Sequence, residues 1–307
     1  MRRRAAVSVD AGARLVALAR AAGASSIAVV GTMKNAGKTV TFGAVCDALA
    51  RSGTPYAAIS IGRDGEAIDA VTQTPKPRIR LAAGTIFATA RPSVPAHPAA
   101  EILEVTDERA AIGRVVIARA RVACRVELAG PATADGLRRV ARRLARSGAI
   151  VVLDGAIDRL AALRDGDDAI VIAVGAAGLR TVREGVDAAR ALVLRLALPV
   201  LDAGDEALAI EGALTAEVAT ALARAAERRA IVVGDATRIA FGGRTFLALR
   251  DALRLRVRRA LRPIACTVAP SGAGASFEPR AFLEAVAEAT RLPAFDVYAA
   301  EGRELRT

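Results

Sequence analysis

Residues 26–41 read SIAVVGTMKNAGKTVT, an apolar run followed by a two-glycine turn and the start of an amphipathic stretch. A strand that passes into a helix through so short a turn needs tight backbone geometry, which Gly31 and Gly37 supply. A strand–turn–helix of this kind is half of a parallel crossover, and parallel strands need a sheet covered on both faces. The rest of the chain repeats the pattern. An amphipathic segment at about 10–22 precedes the strand at 26–30, and a helix is expected near 37–51.

YAAISI (56–61) reads as a second strand, while VVIARA (115–120) and ACRVELAG (123–130) read as two strands near one another. TADGLRRVARRLARSG is a helix capped by Thr133. AIVVLDG (149–155) and AIVIAVG (169–175) are buried strands. Helices near 180–196 and 214–227 alternate with strands at 230–234 and 263–268; a helix at about 278–290 leads to a last strand at 295–299. Several strands are apolar without a period of two, as in a mostly parallel sheet. The expected fold is α/β, with a nucleotide-binding domain over 1–200 and a C-terminal α/β extension packed on it over 201–307.

The turn GTMKNAGKT nearly spells the phosphate-binding pattern G-x-x-x-x-G-K-[ST], with one residue more between the glycines. Backbone N–H groups of such a turn, followed by a helix N-terminus, form a nest for phosphate oxygens. Gly31, Thr32, Lys34, Asn35, Ala36, Gly37, Lys38, Thr39 and Val40 are the candidate nucleotide-binding residues. Lys38 is expected to reach the β- and γ-phosphates and the Thr39 hydroxyl to ligate Mg²⁺. A simple strand–helix turn could also contain Gly-Lys-Thr, but composition argues for chemistry. The loop holds two of the chain's three lysines, its only asparagine and its only methionine besides Met1.

An aspartate ending a buried strand beside the first should help hold the cation, and VVLDG offers Asp154. Asp158 and Arg159 follow it as weaker candidates. The polar stretch IGRDGEAIDAVTQTPKPRIR follows the second strand, at the sheet end where such folds bind ligands. Within it Asp64 and Glu66 could contact Mg²⁺ or orient a nucleophile, and Asp69, Gln73 and Lys76 accompany them. ELAGP (127–131) could line the same cleft, whereas Gly272 and Gly274 read as a plain turn.

The formal charge is +12, and all but Lys34, Lys38 and Lys76 of the 44 basic residues are arginine. RRVARRLARS (138–147) and LRLRVRRALR (253–262) read as amphipathic helices with solvated basic faces, which makes nucleic acid a secondary reading. Cys46, Cys124 and Cys266 stand far apart in apolar segments, as buried thiols of a reducing compartment do. One histidine, His97, argues against a zinc cluster or a Ser-His-Asp triad. MRRRAAVSVD is not expected to be a secretory signal, and no apolar run reaches membrane-spanning length. The expected location is the cytoplasm.

The loop resembles that of the dethiobiotin synthetase and cobyrinic acid synthetase branch of P-loop proteins, in which the spacing G-T-x-x-x-x-G-K-T occurs. That resemblance implies a three-layer P-loop NTPase fold, ATP with Mg²⁺ in the loop and an acceptor in the cleft beside it. Lys34 is a candidate for the additional loop lysine of related ATPases, at a spacing to Gly37 one residue shorter than theirs. Dethiobiotin synthetase carries Lys-Pro directly after its second strand, where this chain reads ISIGRDGE.

A longer resemblance joins GTMKNAGKTVT, SIGRDGEAIDAVTQTPKPRI, GTIFATA, VVLDGAIDR, EGALT and PSGAGASFEPRAFLEAV. Together these look like the P-loop subunit associated with lysine 5,6-aminomutase. It implies an ATPase component that assists or reactivates an adenosylcobalamin-dependent aminomutase, with that enzyme or another reactivase subunit as protein partner; a homodimer is a separate option. The alternative is an ATP-dependent ligase of the dethiobiotin synthetase type acting on a small carboxylate.

Overall fold

A nine-stranded sheet carries the chain, and the glycine-containing turn leaves it from an interior strand. The structure is a computed structural model that describes residues 10–60, 79–155 and 168–299. Its elements in chain order begin with α1 (Ala11–Ala21), β1 (Ser26–Gly31), α2 (Lys38–Arg51) and β2 (Tyr56–Ser60). Next come β3 (Ile79–Leu81), β4 (Ile86–Ala90), β5 (Ala100–Ala110), β6 (Gly113–Ala120), β7 (Cys124–Val126) and α3 (Ala134–Ala145). β8 (Ile150–Asp154), β9 (Asp168–Gly175), α4 (Val182–Leu196), β10 (Ala207–Ala209), α5 (Ala216–Arg224) and β11 (Ala230–Val233) follow. The last are α6 (Gly243–Ala252), β12 (Leu255–Val257), β13 (Arg262–Ala269), the small hairpin β14 (Ser271–Gly272) and β15 (Ala275–Ser276), α7 (Pro279–Thr290) and β16 (Ala294–Asp296).

The large sheet runs β16-β13-β9-β1-β8-β2-β4-β6-β5. All pairings from β16 to β4 are parallel, and β6 and β5 close one end antiparallel. Alternation along the strands divides two cores. Ala28 and Val30 of β1, Val151 and Leu153 of β8, and Ile170 and Ile172 of β9 face one side. There they meet Leu137 and Leu144 of α3, Leu192 and Leu196 of α4, and Phe282 of α7. Ile27, Val29, Val152 and Val171 face the other side, against Leu15 of α1 and Phe42, Val45, Cys46 and Leu49 of α2. The last four recur at helical spacing, which gives α2 one apolar face. Full burial of Phe42 or Leu49 contributes about 2–3 kcal/mol each. α1 crosses α2 closely, because a Cβ on Gly12 would overlap the Ala44 carbonyl. The result is an α/β architecture with a large, mostly parallel sheet and helices on both faces.

Near residue 200, the expected boundary, the chain leaves the large sheet, but it returns at Arg262 to place β13 beside β9 and β16 beside β13. Residues between form a smaller parallel sheet, β10-β11-β12, with its own core of Leu214, Ile231, Val233, Phe246, Leu255 and Val257. Arg195 of α4 ties this unit to the main body, donating from its guanidinium to the carbonyls of Ile239 and Phe241.

One expectation fails. LRLRVRRALR is not a helix: Leu253, Leu255 and Val257 are buried at every second position, and Leu255–Val257 is β12. Period two had been read as period 3.6, since either can pair leucines with arginines over so short a run. The strands expected around 115–120 and 123–130 are present as β6 and β7, in different sheets. β6 joins the large sheet between β4 and β5, while β7 pairs antiparallel with β3.

RRVARRLARS is helical, as expected, within α3, and Thr133 caps it by accepting from the Gly136 N–H. Its arginines are engaged rather than only solvated. Arg139 makes two hydrogen bonds to Glu108 of β5, at 2.6 and 3.1 Å, and Arg143 binds Glu104. Cys46 and Cys266 are buried free thiols, but Cys124 is half-buried. Among the described residues, no helix is long and apolar enough to cross a membrane.

Candidate functional site

β1 ends at Gly31 in the interior of the sheet, and the six residues from Thr32 to Gly37 return the chain to the start of α2. The turn leans on the neighbouring strand. The Thr32 N–H donates to the Ala173 carbonyl of β9 at 2.9 Å, and its hydroxyl lies 3.5 Å from the same oxygen. Gly175, at the end of β9, is where the turn presses hardest. A Cβ there would lie 2.5 Å from Ala36 Cα and 3.0 Å from the Asn35 carbonyl oxygen. Asn35 adopts a left-handed φ of 60°, which asparagine tolerates, and Gly37 one of 91°.

Lys38 opens α2 and folds back over the turn. Its ammonium donates to the Met33 carbonyl at 3.3 Å. A Cβ on Gly31 would stand 2.9 Å from Lys38 Cγ and 3.1 Å from Nζ, so the lysine lies directly over the glycine. The side chain thus arches along the inside of the loop. Gly37 precedes the helix without a capping side chain, and the first N–H groups of any α-helix lack intrahelical acceptors. A lysine ammonium and a helix N-terminus both present positive potential to the space above the turn.

Asp154 ends β8, hydrogen-bonded in register beside β1, with its Cα opposite Val29 on one side and Ser60 of β2 on the other. It is the aspartate at the end of a buried neighbouring strand that the sequence pattern anticipates. Burial raises its carboxyl to about 6, and the nearby Lys38 ammonium pulls in the opposite direction. The next residue, Gly155, donates its N–H to the Val29 carbonyl at 2.9 Å and keeps the strand end tight against β1.

The helix behind the loop is anchored at depth. The Thr41 and Thr267 hydroxyls, both buried, lie 2.8 Å apart and join α2 to β13. On that same flank a Cβ on Gly37 would meet Ala269 Cβ at 3.2 Å and Tyr298 Cε2 and Oη at 3.5 Å each. Gly175, Ala269 and Tyr298 were not anticipated as loop contacts. The glycine ending AIVIAVG and the scarcity of tyrosine, two in the chain, were the available signals.

The other candidates divide. Gly31, Thr32, Lys34, Asn35, Ala36, Gly37, Lys38, Thr39 and Val40 form the loop and the first helical turn, with Asp154 at the adjacent strand end. Lys34 and Asn35 are exposed at its tip and Ala36 is buried beneath it. Asp64, Glu66, Asp69, Gln73 and Lys76, like Asp158 and Arg159, lie outside the described residues. ELAGP follows β7 and is held to β4, two strands from β8 at the same sheet edge. The Thr89 hydroxyl donates to the Glu127 carbonyl at 2.7 Å and accepts from the Ala129 N–H at 2.9 Å. Gly272 and Gly274 belong to the β14–β15 hairpin, as the plain-turn reading expected.

The arrangement can take a polyanion against backbone N–H groups and one lysine, with a carboxyl nearby to orient a hydrated cation. No family model, curated protein or solved structure matches the chain.

Proposed function

We propose that the chain binds ATP with Mg²⁺ in the loop 31–39 and works as an ATPase component. The observation that carries this reading is the path of Lys38 over Gly31, with Asp154 at the adjacent strand end. The residues fit the ligand. Lys38 lies directly over Gly31, α2 starts without a capping side chain, and Asp154 is close enough to feel the ammonium. Lys38 and the N–H groups of the loop would hold the phosphates, while Thr39 and Asp154 would position the cation and its waters. The cation supplies charge neutralisation when bound. The chain's own contribution is orientation and preorganised positive potential, which is where most phosphoryl-transfer catalysis comes from.

The recipient is proposed on the sequence resemblance: an adenosylcobalamin-dependent aminomutase that this ATPase assists or reactivates, alone or with another subunit. Asp64 and Glu66 are retained as candidates to orient water or cation. The location proposed with this role is the cytoplasm.

Titration of ATP with Mg²⁺ into the wild-type chain and the Lys38→Ala variant, followed by thermal shift, tests the loop. The variant should bind about 100-fold more weakly, the scale of a lost charge-assisted contact. Equal binding overturns the assignment. ATP turnover measured with and without the aminomutase tests the recipient. Stimulation supports it; stoichiometric consumption with a small carboxylate and a new product favours a ligase instead.

A further inference from the structure

The loop has two unlike flanks. On the β8 side stands Asp154, a carboxyl suited to a cation. On the β9–β13–β16 side the loop meets no carboxylate in the contacts described for Gly37: it meets Ala269 at the end of β13 and the ring of Tyr298, just past β16. Gly37 is the hinge between them. Its φ of 91° turns the chain into α2, and its α-carbon faces Tyr298 closely enough that a Cβ would touch both Cε2 and Oη at 3.5 Å.

Tyr298 is placed there by local chemistry. β16 stops at Asp296, whose carboxylate accepts from the Tyr298 N–H at 2.8 Å and turns the chain back towards the loop. Val297 between them is buried and fixes the turn, while Tyr298 is itself half-buried. Tyr298 is one of two tyrosines in the chain, and its ring stands beside the loop. The other tyrosine, Tyr56, is a buried member of the core under α2.

A nucleoside triphosphate is a directional ligand. If its terminal phosphates lie between Lys38 and the Asp154 flank, its nucleoside must leave by the other flank. We infer that Tyr298 contacts the nucleoside of the bound nucleotide, its ring packing against the base or ribose as the triphosphate emerges past Gly37. This rests on the nucleotide reading above and adds a specificity-determining residue to it. An aromatic ring against a base is sequence-tolerant contact area, since every base has a π-face. It adds affinity for the nucleoside and none for bare phosphate.

The test separates the two parts of the ligand. Calorimetric affinities are measured for Mg-ATP and for magnesium tripolyphosphate, with the wild-type chain and the Tyr298→Ala, Tyr298→Phe and Lys38→Ala variants. Tyr298→Ala should lose about tenfold in ATP affinity, the lower range of an aromatic–base contact, while tripolyphosphate affinity changes by less than about twofold. Tyr298→Phe should keep ATP affinity within about twofold, because the ring remains. Lys38→Ala should weaken both ligands.

Unchanged ATP affinity in Tyr298→Ala overturns the inference. Equal losses for ATP and tripolyphosphate also overturn it, since the ring would then be a wall that shapes the loop. A Tyr298→Phe variant as weak as Tyr298→Ala overturns the ring contact. A wild-type chain that binds neither ligand fails the nucleotide reading itself, and the role of Tyr298 falls with it.

Discussion

The mostly parallel large sheet and the small parallel sheet build the C-terminal ends of their parallel strands in opposite ways. At the edge of the large sheet, β1 passes into α2 through a turn whose helix starts on Gly37, and Lys38 donates to the Met33 carbonyl at 3.3 Å. Asp154 beside it is desolvated enough for its carboxyl to rise to about 6. At the edge of the small sheet, β11 passes into a short 3-10 turn at Ala236–Arg238 capped by Asp235. Asp235 accepts from the Thr237 N–H at 2.9 Å, from the Thr237 hydroxyl, and from Arg259 just beyond β12. Arg258, just past β12, reaches Glu211, just past β10, at 3.1 Å. One edge has its charges neutralised from within, and the other holds positive potential and a reluctant carboxyl ready for something from outside. Topology alone does not make a site; what matters is whether the chain itself satisfies the groups at the strand ends.

The largest effect expected from that contrast is structural. Asp235→Ala removes a buried carboxylate that serves a cap, a hydroxyl and a guanidinium, and should cost about 2–3 kcal/mol in denaturant unfolding. ATP affinity should stay within about twofold of wild type, because the described partners of Asp235, Thr237 and Arg259, lie in the small-sheet unit. A variant that unfolds no more easily, or that loses nucleotide binding, breaks the distinction between a closed edge and an open one.

The next contrast uses one glycine from each edge. Gly37→Ala puts a Cβ at a φ of 91° and 3.2 Å from Ala269 Cβ, so it should cost about 1–2 kcal/mol and weaken ATP binding as the loop shifts. Gly234, the residue after β11, would bring its Cβ no nearer than 4.0 Å to Arg238 Cγ. Gly234→Ala should change stability by less than about 0.5 kcal/mol. Paired thermal melts of the two variants, with and without ATP, check this. Equal costs would mean that the loop glycine is no more constrained than its counterpart.

Much of the open edge was legible in the sequence, for a physical reason. Phosphate-type loops need glycine, lysine and a strand-end carboxylate at fixed spacing, so Gly31, Gly37, Lys38 and Asp154 stand out without any structure. The large-sheet strands β1, β2, β8, β9 and β13 were legible too, because burial on both faces makes them uniformly apolar. What escaped was set by partners distant in sequence. β4 and β5 were passed over, since IFATA carries no alternation and β5 is broken by register shifts after Ile102 and Val105. LRLRV was misread because a five-residue pattern fits either period. Gly175 and Tyr298 meet the loop only after three strands have been placed side by side. No local rule announces such contacts.

The smallest effect is also the most diagnostic, because it titrates. The folded Asp154 carboxyl keeps its proton up to about pH 6, while in the unfolded chain it ionises near its ordinary value of 3.8. Between those values the folded state binds more protons than the unfolded one, so stability falls as pH rises from about 4 to about 6 and is flat above. The residue is partly exposed, and solvent screening reduces the cost to the order of 1 kcal/mol. Asp154→Asn cannot ionise. It should match wild type near pH 4 and exceed it by about 1 kcal/mol at pH 8 in denaturant midpoints. Magnesium with ATP should then favour the wild type, because a cation on that flank stabilises the carboxylate and not the amide. Parallel stability curves for the two proteins across this range would show that Asp154 is solvated like any surface carboxylate. The open edge would then hold no stored electrostatic cost for a ligand to relieve.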